Sequence, residues 1–248
     1  GGAGAAGRGG NVGISSGLSS SGMAGGDVTV ASAASQVSGR VALVSGSASL
    51  ESGTVSLQSG NSELASAGEV SIAAGSGVTT GSGVSLLAGN AKGENSAGGK
   101  LSLMGGVADA GGEVDIQGGK GLLKSGGAAV ITGGASDVLA GGDVVLSGGV
   151  GVTEGGNVEV TAGESSEGVG GKVFLSSGSS SFSESGAVNV VSGASRLNSG
   201  SVTLSSGSSA EGASGSVLLT TGTSDSGSTG DIKISVGSST DRSGLLMM

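Results

Sequence analysis

A pair of aliphatic residues, one residue apart, returns along almost the whole chain at a short and nearly constant spacing. It reads Val28/Val30, Val41/Leu43, Val55/Leu57, Val70/Ile72, Val84/Leu86, Leu101/Leu103, Val114/Ile116 and Ala129/Ile131. It goes on as Val144/Leu146, Val158/Val160, Val173/Leu175, Val188/Val190, Val202/Leu204, Val217/Leu219 and Ile232/Ile234. The mean step is about 14.6 residues, and a fixed short period of this kind marks a stacked repeat array. In V-x-L the outer residues lie on one side of an extended segment and the middle residue on the other. The outer pair is aliphatic almost throughout, while the middle position varies through Thr29, Ser56, Asp115, Glu159 and Lys233. One side is therefore expected to be buried and the other solvated.

A second signal lies half a period further on. Leu43 is followed seven residues later by Leu50, Leu57 by Leu64, Ile116 by Leu123, Leu175 by Phe182 and Val190 by Leu197. A chain that reverses after the pair would carry this third aliphatic across from it. The expected fold is all-β: a single two-sided β-solenoid, of β-roll or β-helix type, with about 15–16 coils and a thin aliphatic core. Each coil would take roughly 14–15 residues, and Val12/Ile14 would supply the sixteenth. The half-period aliphatic favours one repeat per coil over a wider prism with two. Doubled glycines before the pair (Gly111-Gly112, Gly141-Gly142) and after it (Gly118-Gly119, Gly133-Gly134) suit corners that need positive φ. Ser59, Ser177, Ser192 and Ser206 stand beside the corner glycine, where a hydroxyl could bond the turn backbone. The domain expectation is a Gly-rich lead over 1–10, the repeat domain over 11–237 and a C-terminal tail over 238–248.

Composition fits this frame and excludes several functions. Among 248 residues there are 58 Gly, no Pro, Cys, His, Trp or Tyr, and two Phe. An aromatic-rich globular core is out of reach, and the regular period argues against a disordered Gly/Ser chain. Net charge is −9, which disfavours nucleic acid, since phosphate binding needs clustered Lys and Arg. Without Cys there is no disulfide and no thiolate metal site. No apolar run of about 18 residues exists to span a bilayer. The chain opens on Gly1 without a signal-peptide pattern, as expected of a mature product or a piece of a longer array.

No catalytic, cofactor-binding or metal-binding residue emerges. The absence of His removes a Ser-His-Asp triad, and Gly2, Gly4 and Gly7 form a GxGxxG outside any strand-to-helix context. Among the residues just before each pair, the acids (Asp27, Glu69, Glu113, Asp143, Asp231) neighbour bases (Arg40, Lys100, Lys172) or neutral residues. They read as a solvated row that avoids like-charge neighbours, not as a cation ladder. Val130, Val145, Phe174 and Leu218 occupy the outward middle position. They are either lateral-contact residues or ordinary exposed apolar side chains.

The stretch Ser199-Gly-Ser-Val-Thr-Leu-Ser-Ser-Gly-Ser208 returns as Ser214-Gly-Ser-Val-Leu-Leu-Thr-Thr-Gly-Thr223. It resembles the Gly/Ser-rich V-x-L arrays of large surface proteins in eukaryotic microalgae. The repeat length also resembles β-roll ice-binding proteins and, more loosely, bacterial β-helical adhesins. The likeness covers about residues 11–237, without the Thr ladder of ice binders or the Asn ladders of β-helices. What it implies is an extracellular or cell-surface location. The expected role is non-enzymatic: a structural subunit or segment of a filament, sheath or wall, assembled through solenoid ends and lateral faces. Expected partners are further copies or other fibre and wall components. The alternative is an ice- or glycan-binding adhesive module, with a polysaccharide as partner.

Overall fold

Neither helix nor strand occurs among residues 9–247, the residues that the computed structural model describes. None of them is buried. The chain exposes 24571 Å². A folded monomer of this mass exposes about 9,500 Å² and its unfolded chain about 33,000 Å². The β-solenoid expectation, with its 15–16 coils and thin aliphatic core, is thereby overturned. The physical reason is where the backbone bonds go. A solenoid needs each extended segment to bond the same segment of the next repeat. Here, in nine of the repeats, the backbone closes on itself within the repeat instead.

That closure follows one rule. Gly112 N–H donates to the Gly106 carbonyl at 2.9 Å, while Gly127 donates to Gly119, Gly142 to Gly134 and Gly156 to Gly149, each at 2.8 Å. Gly26 to Gly17, Ser82 to Gly75, Gly99 to Gly89, Gly171 to Gly163 and Gly186 to Gly178 behave alike. In every case the donor stands two residues before the first aliphatic of a pair. The acceptor stands three residues after the second aliphatic of the preceding pair. Ile14, Gly17, Gly26 and Val28 obey the same offsets, so the early pair Val12/Ile14 belongs to the series. The result is a neck joining the two ends of a short loop, with an extended V-x-L segment between one neck and the next.

Glycine is required at the neck for closeness, not for left-handed backbone. Among the described residues positive φ occurs only at Gly22 (72°) and Asn95 (54°), which corrects the corner-geometry expectation. A Cβ on Gly112 would instead lie 2.8 Å from the Gly106 nitrogen, and one on Gly156 would lie 2.9 Å from the Gly149 nitrogen. Ser82 is the donor that is not glycine, and its bond is the longest of the set at 3.4 Å. Ser59, Ser177 and Ser206 do not bond the turn as expected. A Cβ added at Gly68, Gly186 or Gly215 would meet their Cβ atoms at 3.8, 3.4 and 3.6 Å.

Different serines hold the loops. The hydroxyl oxygens of Ser136, Ser165, Ser180 and Ser209 accept from Leu139, Gly168, Ser183 and Gly212 N–H at 2.9, 2.9, 2.9 and 3.0 Å. Ser195 accepts from Leu197 N–H and Ser239 from Asp241 N–H, each at 3.2 Å. Such bonds let a short side chain replace a backbone partner and bend the chain. The bend carries the half-period aliphatic to the loop tip. Leu50, Leu64, Val78, Leu123, Val152 and Phe182 are almost wholly exposed there and do not cross to face the pair.

The chain divides into two units, Gly1–Ala128 and Ala129–Met248. The division falls on Ala129/Ile131, the pair whose first member is the smallest side chain in the series. Five of the necks above lie in the first unit and four in the second.

Two substitutions test the neck and the bend. Gly112→Ala should open its neck, while Gly106→Ala, where a Cβ meets nothing within 4 Å, should leave it closed. The readout is amide hydrogen exchange at residue 112, about fivefold faster in the first variant for the loss of a bond worth about 1 kcal/mol. Ser209→Ala should similarly speed exchange at Gly212 without changing exchange at Gly186.

Candidate interaction surface

The extended segments between necks carry the one regular chemistry of the chain. Their alternation is visible in side-chain pairing: Gln117 Nε2 donates to Asp115 Oδ2 at 2.7 Å, and Thr161 Oγ1 donates to Glu159 Oε1 at 3.1 Å. Each pair joins the middle residue of a V-x-L to the residue two further on. These residues share a side of the extended backbone, so the polar side expected from the sequence is present locally.

The aliphatic side is not covered. From Val28 onward the valine, leucine and isoleucine first members are 45–59% exposed, from Val70 to Val173, and the second members 58–81%, from Ile234 to Leu204; Val12 of the early pair is 74% exposed. The first members are the more sheltered both where a neck bond precedes them, as at Val114, and where none does, as at Val55 and Val70. Among the described residues no backbone hydrogen bond joins one V-x-L segment to another. Each repeat therefore presents two aliphatic side chains together with free backbone donors and acceptors.

Val130, Val145, Phe174 and Leu218 sit on the opposite, middle position and are 79–85% exposed. All four fall in the second unit, whose segments at these places are apolar on both sides. In the first unit the middle residues are Thr29, Ala42, Ser56, Ser71, Ser85, Ser102 and Asp115. Sequence reasoning singled out the four apolar middle residues but placed the aliphatic pairs themselves in a core. The pairs belong to the exposed surface as well.

No cavity is enclosed, and among the described residues no group of three His, Cys, Asp or Glu side chains is gathered to hold a metal ion. The GxGxxG at Gly2, Gly4 and Gly7 lies outside the described residues. No helix among the described residues is long and apolar enough to cross a membrane. What the surface offers is repetition: an apolar pair, an unpaired backbone and a variable charge just before the pair, at a step of 13–17 residues. No protein-family model, curated protein or solved structure matches the chain.

Proposed function

We propose that this chain is a non-enzymatic structural repeat protein, a subunit or segment of an extracellular filament, sheath or wall, built by self-association of its V-x-L segments. The observation that carries this reading is the exposure of the whole aliphatic series. Covering one Val, Leu or Ile side chain is worth about 1.5–3 kcal/mol. A chain that leaves so many uncovered gains by association what it does not gain by folding alone. Repetition makes each contact weak and the sum large, which suits a material more than a single-site receptor. The extracellular placement rests on the likeness of Ser199–Ser208 and Ser214–Thr223 to microalgal surface arrays.

The test is assembly of the purified chain followed by light scattering and electron microscopy. Fibres or sheets should appear above a critical concentration. The variant Val158→Asp/Val173→Asp/Val188→Asp should raise that concentration at least tenfold, since each site loses on the order of 1.5 kcal/mol or more of burial. A chain that remains monomeric at high concentration, without fibres, rejects the proposal.

A further inference from the structure

Resting on that proposal, we infer that each V-x-L segment is covered by a V-x-L segment from a second copy of this chain, running parallel and shifted by one repeat. Two features identify a second copy as the occupant. The first is pitch. The nine closed repeats vary from 13 to 17 residues, yet the offsets from pair to neck are constant, so the loops absorb the whole variation. The longest repeat, from Leu101 back to Val84, has its neck at Gly89 and Gly99. The shortest closed one, from Leu101 to Val114, has its neck at Gly106 and Gly112. Segments from different repeats are thereby made equivalent, and another chain with the same necks matches them at every step.

The second feature is charge. Eight of the residues just before the fifteen pairs are charged. Two copies in register would set each of them against its own image, and like charges placed opposite one another are destabilising. An antiparallel alignment over the full series would set Asp27 against Asp231 and Glu113 against Asp143. A parallel shift of one repeat leaves no like pair at this position. It sets Asp27 against Arg40 and Lys100 against Glu113, and gives the remaining charges neutral partners. In the loops the same shift brings Asp109 to Lys120 and Lys124, and Glu184 to Arg196. It also sets Glu51 against Glu63, Asp137 against Glu154, Glu154 against Glu164 and Glu167, Glu167 against Glu184, and Glu211 against Asp225, all at exposed loop positions where salt screens the repulsion, so the register is set by the row just before the pairs. A shifted contact is head-to-tail in character: it leaves one unpaired repeat at each end and so propagates without closing.

Because the chain has no Cys, single introduced thiols report the register cleanly. Ser85 and Ser102 hold the middle position of adjacent repeats. Nitroxide-labelled Ser85→Cys and Ser102→Cys would be assembled separately and as an equimolar mixture. Paired segments lie about 5 Å apart, close enough for strong spin exchange. The shifted pairing gives exchange in the mixture and little in either variant alone. Exchange within each single variant means in-register packing and overturns the shift while leaving the structural role intact. Failure of the unlabelled chain to assemble overturns the structural role, and the shift with it.

Charge variants supply a second readout. Lys100→Glu should raise the critical concentration roughly fivefold, by setting a carboxylate against Glu113 of the neighbouring copy. The double variant Lys100→Glu/Glu113→Lys should restore it. In-register packing leaves both variants unchanged, because each position meets its own image before and after substitution, and that result also overturns the shift.

Discussion

One local hydrogen bond governs the chain: an amide two residues before an aliphatic pair, bonded to the carbonyl three residues after the previous pair. It is made between glycines in all but one case, and on the donor side at Gly112 and Gly156 the backbones approach too closely to admit a Cβ. By closing a loop of only a few residues it incurs little chain entropy, and it forms without help from distant parts of the molecule. It also fixes what remains. Everything outside the neck and loop is a short extended segment whose alternation places aliphatic side chains on one side. The serine at the bend completes the unit by turning the loop tip outward.

Local closure explains why the apolar residues stay exposed. Each repeat offers two or three aliphatics, worth about 5–8 kcal/mol if fully covered. Ordering some fifteen Gly- and Ser-rich residues costs on the order of 15–20 kcal/mol in backbone entropy alone. A single repeat cannot offset that cost by burial. With few aromatic or Met side chains to bridge between repeats, there is no bulk from which to build a shared core. The chain settles for one bond per neck, and its aliphatic pairs remain available to whatever can cover many of them at once.

Much of this was legible in the residues, and the errors have identifiable causes. The V-x-L alternation holds locally, as the Asp115–Gln117 and Glu159–Thr161 bonds attest. What period two cannot specify is the partner of an extended segment, so alternation alone did not distinguish a ladder from an isolated stretch. A seven-residue spacing is equally compatible with a returning strand and a loop tip; the hydroxyl of Ser180, accepting from Ser183 N–H, decides for the tip at Phe182. Doubled glycines suggested corners, whereas the fuller signal is a single glycine at a fixed offset on each side of the pair. Gly occupies the position two before the pair in every repeat except at Ser82, and the position three after it except at Ala33. At Gly112 and Gly156 this answers a steric demand of the backbone, whereas at the position three after the pair a Cβ would meet nothing within 4 Å and the structure gives no steric reason for glycine. Val130, Val145, Phe174 and Leu218 are exposed, but so are the aliphatic pairs, because burial is a property of a partner as much as of a side chain.

The division of labour between fixed and variable positions bears on how such a chain could specify an assembly. Necks and aliphatic pairs are nearly the same in every repeat, so by themselves they allow any copy to pair with any other at any whole-repeat shift. An array with no further information would form a mixture of registers. The residue just before the pair breaks that degeneracy, since its charge changes from Asp27 to Arg40 and from Lys100 to Glu113 between neighbouring repeats. Each such charge contributes little at an exposed site, yet several in series separate one register from the rest while leaving the apolar contact unchanged. Cohesion and register thus reside on different residues of the same short segment. This separation lets the repeats diverge in charge and loop length without losing the contact that joins them.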